Sequence, residues 1–153
     1  MMLRIKKLSP EDTALLNACA GLERICLPSE AWSFKSLQSE AKMPYGCVLA
    51  ALNEENRLIG VLTARYISGA EDGELMILVV SPEYRRQGIG SMLLSDLFSR
   101  IGNIRLFLEV RESNPAREFY QKYGFEQFGV RKRFYQNPEE DAILMQYRGE
   151  ESC

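Results

Sequence analysis

The spacing of apolar residues along the chain predicts an alternation of strands and helices. Short apolar runs and alternating apolar and polar positions, both typical of strands, occur at residues 2–8, 45–52, 57–67, 73–80, 104–111, 125–135 and 141–147. Apolar residues recur at helical spacing in four further segments, residues 10–26, 29–42, 88–101 and 115–123. The pattern therefore predicts about seven strands and about four helices.

Capping and turn residues set the expected ends of two helices. Ser9 before Pro10, and Asn114 before Pro115, each predict an N-cap followed by a proline at the first helical position. Gly124 is expected just past the end of the last helix. The first helix is expected to bury a stripe formed by Leu15, Leu16, Cys19, Leu22 and Ile25.

The order of the elements predicts a single α+β or α/β domain over residues 1–153, with both antiparallel and parallel pairs of strands. Residues 45–52 and 57–67 flank a short polar turn and form an antiparallel hairpin. The strands at 73–80 and 104–111 are separated by a helix, and such a connection makes them parallel. Ligands in these units bind beyond the carboxyl ends of the strands.

A turn containing Gly88 and Gly90 lies at that end, at the start of the helix at 88–101. The first amides of a helix lack intrahelical partners, and with the helix dipole they suit a phosphate. Arg85 and Arg86 can add charge-assisted hydrogen bonds, although an ordinary turn with solvated arginines is the alternative. The dinucleotide motif would need a third glycine where Leu93 stands, and the Gly-Lys-Ser/Thr of a P-loop is absent.

Composition and charge narrow the possible functions. The net charge of −2 argues against a broad nucleic-acid-binding surface. The chain has no histidine and its four cysteines are scattered, so neither a metal site nor a histidine-based catalytic triad is expected. A general base would have to be a carboxylate, a lysine, a tyrosine or water. No signal peptide or membrane span is apparent, so we expect a cytoplasmic protein.

Residues 85–90 (RRQGIG) after the apolar strand resemble the acyl-CoA pyrophosphate loop of the GNAT N-acetyltransferases, and residues 114–125 (NPAREFYQKYGF) resemble a later helix of that family. Residues 27–40, 106–114, 129–135 and 141–147 are similar to the RimI-type subgroup, which acetylates the N-terminal alanine of a small-subunit ribosomal protein. The resemblance implies two neighbouring parallel strands that splay apart to admit acetyl-CoA. It also implies a set of cofactor-binding residues: Leu78, Val79, Val80, Arg85, Arg86, Gln87, Gly88, Ile89, Gly90, Ser91 and Asn114.

Two catalytic residues follow from the same resemblance. Glu109 matches the general base, and a carboxylate in an apolar strand needs a partner or a raised pKa. Its alternative role is a salt bridge to Arg111 or Arg105. Tyr120 matches the acid that reprotonates the leaving sulfur, and its alternative role is a buried aromatic on the inward stripe of its helix.

The implied reaction transfers acetyl from acetyl-CoA to an N-terminal alanine of a ribosomal protein, with no direct nucleic-acid or membrane contact. Alternatives are a small amine, an amino acid or an internal lysine as acceptor, or a non-catalytic acyl-CoA-binding module. The segment between Tyr135 and Asp141 is shorter than in the subgroup, and its acids are interpreted as an acidic lip for a basic protein terminus or as a solvated turn. Trp32 is expected either to line the substrate side of the active site or to belong to the hydrophobic core.

Overall fold

A computed structural model describes residues 2–148 and contains one mixed sheet. Within these residues the sheet has seven strands in the order β1-β2-β3-β4-β5-β7-β6. Their bounds are β1 Arg4–Lys7, β2 Gly46–Leu52, β3 Leu58–Arg65, β4 Asp72–Val80, β5 Arg105–Arg111, β6 Glu126–Tyr135 and β7 Glu140–Tyr147. All seven predicted strands are present, and β2 and β3 form the predicted antiparallel hairpin.

Four α-helices occur in the same residues, as predicted. They are α1 Thr13–Cys26, α2 Phe34–Lys42, α3 Ile89–Ile101 and α4 Ala116–Lys122. The helices cover both faces of the sheet, because one core cluster joins β2, β3 and β4 to α1 and α2, and the other joins the sheet to α3 and α4. The predicted stripe of α3 is fully buried and holds that helix to the sheet: Ile89, Leu93, Leu97 and Ile101.

The first helix begins later than predicted. Ser9 is not its N-cap, because the Ser9 amide and hydroxyl donate to Asp12 Oδ2 at 2.8 and 3.2 Å, and α1 starts at Thr13. One member of its predicted stripe is also wrong, since Ile25 is 70% exposed. Ile25 therefore lies on the solvent side of the last turn, whose inner side carries the buried Glu23 and the partly buried Cys26.

The last helix is capped close to the expected position. Asn114 Oδ1 accepts a hydrogen bond from Ala116 N at 2.9 Å, and Pro115 takes the N-cap position of α4, one residue later than predicted. Gly124 follows the helix with φ of 98°. The expected loose tail from residue 149 onward, including Cys153, lies outside the described residues.

Strands β4 and β5 are parallel but pair only at their beginnings. The register joins Asp72 to Arg105, Gly73 to Leu106 and Glu74 to Phe107, and no later residue of either strand pairs with the other. The two strands therefore diverge towards their carboxyl ends, as expected. Residues 75–80 of β4 and 108–111 of β5 border an open cleft.

Candidate active site

The turn between β4 and α3 presents free backbone amides at the mouth of this cleft. Gly88 has a left-handed backbone with φ of 79°, which glycine adopts without the strain that a Cβ would add. The first intrahelical hydrogen bond of α3 runs from Met92 N to Gly88 O at 3.0 Å. The amides of Ile89, Gly90 and Ser91 precede that bond, so they are available to an anion.

A cavity of about 360 Å³ opens beside this turn. Its lining contains most of the predicted phosphate-binding residues, namely Arg85, Arg86, Gly88, Ile89, Gly90 and Ser91, together with Leu78 and Val80 of β4. Gln87 is exposed and does not contribute to the lining. The hydroxyl of Ser91 is hydrogen-bonded to the hydroxyl of Tyr123, which ties the start of α3 to α4.

A second cavity, of about 530 Å³, adjoins the first one and contains the other predicted cofactor residues. Val79 and Asn114 both line it. It shares Leu78, Val80 and Arg85 with the cavity at the turn, so the two cavities are neighbours along β4 and the start of α4. Two cationic arginines and a run of free amides at one end give these two cavities the character of an anion-binding cleft.

The two predicted catalytic residues lie together in a third, smaller cavity of about 60 Å³. Glu109 and Tyr120 both line it, and Tyr120 also lines the cavity beside the glycine turn. Leu78 is common to all three cavities. The predicted base therefore lies on one side of the cleft, the predicted anion site lies at its mouth, and Tyr120 lies between them.

Glu109 is ion-paired, but not with either predicted partner. Its Oε1 lies 3.4 Å from Arg131 Nη1 of β6, and its side chain is 25% exposed. Arg105 instead pairs with Asp72 at 3.0 Å, and Arg111 pairs with other carboxylates. Arg131 is itself 54% exposed, and Glu109 lines the third cavity while it is paired.

Tyr120 is buried, with 6% of its surface exposed. Burial raises the pKa of its hydroxyl well above the usual value, and the neighbouring Tyr135 adds to the rise. The ring packs edge-on against Phe119 and Phe125. The hydroxyl therefore keeps its proton throughout the neutral range, and the ring is also the core aromatic that the helical stripe predicted.

Three residues of this site were not identified from the sequence. Glu30, Arg111 and Tyr135 line the small cavity with Glu109. Burial raises the pKa of Tyr135 to about 12, and the carboxylates of Glu109 and Glu30 reinforce the effect. Glu30 comes from the α1–α2 connection, 79 residues before Glu109 in the numbering, and no local spacing links the two.

The predicted acidic lip is neutralised by cations. Glu139 pairs with Arg133 at 3.3 Å and Asp141 pairs with Lys132 at 3.3 Å. Glu140 accepts from Ser113 N and Arg111, and these bonds lower its pKa. The turn therefore offers little free negative charge to a basic partner.

Trp32 lies away from the three cavities of the cleft. It packs partly buried against the core beneath α1 and α2, with the guanidinium of Arg65 5.7 Å from its ring centroid. Its backbone amide donates to Glu23 Oε1 at 2.9 Å. The core role of Trp32 is the one that these contacts support.

Comparisons with known proteins agree with this geometry. The sequence model of the Acetyltransferase (GNAT) family matches residues 16–125. The chain is 33% identical over 120 residues to the ribosomal protein bS18-alanine N-acetyltransferase of Haemophilus influenzae, an alignment that covers 74% of this chain and 80% of that protein.

Two solved structures share the whole architecture. The ribosomal-protein-S18-alanine N-acetyltransferase from Escherichia coli superposes with a TM-score of 0.82 at 23% identity, covering 99% of this chain and 97% of that one. An aminoglycoside 6'-N-acetyltransferase complexed with coenzyme A gives a TM-score of 0.80 at 21% identity, covering 94% and 95%.

The chain therefore belongs to the GNAT acetyltransferase family. It is an acetyltransferase with the GNAT fold, and acetyl-CoA is the co-substrate of that family. The predictions of family, fold, enzyme class and co-substrate are thus confirmed. Among residues 2–148, no helix combines the length and apolar character that crossing a membrane requires.

Proposed function

We propose that this enzyme acetylates the α-amine of a protein N-terminus, and specifically an N-terminal alanine of the bS18 type of ribosomal protein. The observation that carries the proposal is that Leu78 and Tyr120 line both the cavity at the start of α3 and the cavity that contains Glu109. The identity to the Haemophilus influenzae enzyme supports the choice of acceptor.

The donor is held, in this proposal, by main-chain groups at two places. The amides after Gly88, with Arg85 and Arg86, bind the pyrophosphate of acetyl-CoA. Residues 78–80 of β4 have no partner in β5, which has already diverged there, so this edge can bond the pantetheine amides. The carbonyl of Val80 accepts from the Cys26 thiol at 3.6 Å, and the donor would replace that bond. Asn114, at the start of α4, lines the same space.

The acceptor chemistry fits an α-amine better than a lysine. The reference pKa of an α-amine is about 7.8 and that of lysine about 10.4. Removing the proton from lysine at neutral pH therefore costs roughly 3.5 kcal/mol more, at about 1.36 kcal/mol per pH unit. A carboxylate that acts directly or through one water is sufficient for the α-amine.

Glu109 and Tyr120 divide the proton transfers between them. Glu109 takes the proton that the amine loses as its nitrogen attacks the thioester carbonyl. Tyr120 donates a hydrogen bond, and then a proton, to the leaving sulfur, because its buried hydroxyl remains protonated. Tyr120 lines both the small cavity and the turn cavity, and this supports a role for its hydroxyl beside the thioester.

The test is acetylation of a panel of acceptors by the purified enzyme, followed by mass spectrometry. The panel contains a peptide that begins with alanine, the same peptide with a blocked N-terminus and an internal lysine, free amino acids and polyamines. We expect acetylation of the alanine-first peptide and no modification of the blocked one. Turnover of free small amines alone would contradict the proposal.

A paired variant separates catalysis from simple donor binding. Glu109→Gln should remove most turnover and leave acetyl-CoA affinity unchanged. Glu112→Gln is the matched control, because Glu112 is exposed on the turn after β5. A wild-type protein that binds acetyl-CoA with no turnover of any amine would identify the non-catalytic acyl-CoA-binding module instead.

A further inference from the structure

Arg111 joins two surface loops above the predicted acceptor pocket. It lies at the end of β5, two residues beyond Glu109, with 11% of its side chain exposed. Its Nε and Nη2 donate to the Glu30 carboxylate at 3.0 and 3.4 Å. The rest of its donors reach the β6–β7 turn: Gln136 O at 2.8 Å, Pro138 O at 2.8 Å and Glu140 Oε1 at 3.1 Å.

Two further contacts strengthen the same connection. Ser29 Oγ donates to Asn137 O at 2.8 Å, which links the α1–α2 connection directly to the β6–β7 turn. The guanidinium of Arg111 lies 4.7 Å from the centroid of the Tyr135 ring. We call this set the Arg111 bridge: Ser29, Glu30, Arg111 and residues 135–140.

The bridge closes one side of the cavity that contains Glu109. Glu30, Arg111 and Tyr135 line that cavity together with Glu109 and Tyr120. Its volume of about 60 Å³ is the smallest of the three cavities, against about 360 Å³ beside the glycine turn and about 530 Å³ in the cavity that contains Asn114. A first side chain that enters beside Glu109 must share this narrowest part of the site with Glu30, Arg111 and Tyr135, so a short side chain is favoured over a long one.

We propose that Arg111 is a positioning residue that sets acceptor specificity, because its bridge fixes the height of the acceptor pocket and so admits an amine with a small first side chain. This inference deepens the proposed function and rests on it. It adds the residue that restricts the acceptor and the mechanism of the restriction.

The chemistry of arginine suits this role. Only a planar guanidinium presents enough donors to bond one carboxylate through two nitrogens while also reaching two carbonyls and a second carboxylate. A lysine at position 111 would keep the charge and lose the fork. Arg111→Lys is therefore expected to loosen both loops without leaving an uncompensated carboxylate in the site.

The test compares acceptor selectivity in Arg111→Lys, Ser29→Ala and wild type, using peptides that begin with alanine, valine or leucine. An extra methylene in a fitted pocket changes kcat/KM by about 10- to 200-fold. We expect Arg111→Lys to reduce the alanine-to-leucine ratio of kcat/KM by about tenfold or more. Ser29→Ala, which removes one hydrogen bond, should change the ratio in the same direction by less. The KM for acetyl-CoA should stay constant in Ser29→Ala, because Ser29 lines neither of the two donor cavities, whereas Arg111 lines the one that contains Asn114.

Arg105→Lys is the matched control, because Arg105 lies on the same strand at its other end and pairs with Asp72. It should leave the ratio unchanged. A uniform loss of kcat in Arg111→Lys, with an unaltered alanine-to-leucine ratio, would overturn the inference and assign Arg111 a purely structural role. If Arg111→Lys does not fold, an unchanged ratio in Ser29→Ala overturns it equally.

The two proposals fail in different ways. Failure of the wild type to acetylate any peptide N-terminus would refute the proposed function. Acetylation of the alanine peptide by the wild type, with full selectivity retained in the bridge variants, would refute the role of Arg111 alone.

Discussion

Glu23 is a buried carboxylate whose ionisation should oppose folding at neutral pH. It lies on α1 with none of its surface exposed. One oxygen accepts from Trp32 N at 2.9 Å, while Oε2 is buried and has no hydrogen-bond partner in residues 2–148. Burial raises its pKa to about 7 from the reference value of 4.5, and the Trp32 amide offsets only part of the rise.

The effect on stability follows from which state holds the proton. Below pH 4.5 both states are protonated and the group makes no pH-dependent contribution. As the pH rises from 4.5 to 7 the unfolded state loses the proton first, so the free energy of unfolding falls. At about 1.36 kcal/mol per pH unit the total loss is about 3 kcal/mol, and it is complete above the folded-state pKa.

Glu23→Gln tests this reasoning. Glutamine keeps the oxygen that accepts from Trp32 and cannot ionise. Variant and wild type should differ little at pH 5, and the variant should be more stable by about 2–3 kcal/mol at pH 8. Urea unfolding, followed by the fluorescence of Trp32, the single tryptophan, measures the free energy of unfolding of both proteins at each pH.

The exposed Glu11→Gln provides the baseline, since it should shift neither curve at any pH. Comparing variants in this way cancels the opposite pH dependence of Asp12 and Glu140, whose pKa values are lowered in the fold. A stability difference between Glu23→Gln and wild type that is the same at pH 5 and pH 8 would refute the reasoning.

Three further predictions concern catalysis. Glu109→Gln should lower kcat by about 10²–10⁴-fold, with the largest loss at low pH where fewer amines are neutral; a flat pH profile of the loss would exclude the base role. Tyr120→Phe should slow turnover without altering acetyl-CoA affinity in a calorimetric titration, and weakened donor binding would count against a proton-donor role. In Gly90→Ala the new Cβ meets Phe119 at an ordinary 3.4 Å. The free energy of unfolding, measured by thermal unfolding, should stay the same or rise by up to about 1 kcal/mol. The affinity for acetyl-CoA should fall on the order of tenfold. An unchanged affinity would show that the turn does not hold the donor.

Local sequence patterns were sufficient to predict the helices, the strands and the glycine turn before α3. The stripe of α3 and the glycine before it depend on residues within one helix, so spacing alone locates them. The N-terminal end of α1 was predicted wrongly because Ser9 and Asp12 both qualify as caps. The carboxylate of Asp12 bonds the Ser9 amide and delays the helix to Thr13.

The partners of the charged residues could not be predicted in this way. The alternative role considered for Glu109 was a salt bridge to an arginine of its own strand, whereas its partner Arg131 reaches it across β7 from β6. Arg111 bonds Glu30, which is 81 positions away. Such pairs depend on the order of the strands in the sheet and on how two loops fold over its edge. The spacing of apolar residues, which repeats every two residues in a strand and every 3.6 in a helix, carries no information about either.

The brief pairing of β4 with β5 leaves a line of mechanical weakness through the molecule. Three residue pairs between β4 and β5 join the half of the sheet that contains β1–β4 to the half that contains β5–β7. A donor bound between the two strands would contact both halves of the sheet, in place of the hydrogen bonds that β4 and β5 do not make with each other. A ligand present at a hundred times its Kd stabilises the folded state by about 2.7 kcal/mol. Amide hydrogens flanking this line should therefore exchange fastest in the empty enzyme and slow together on loading, so that the donor acts as a structural part of the fold during each turnover.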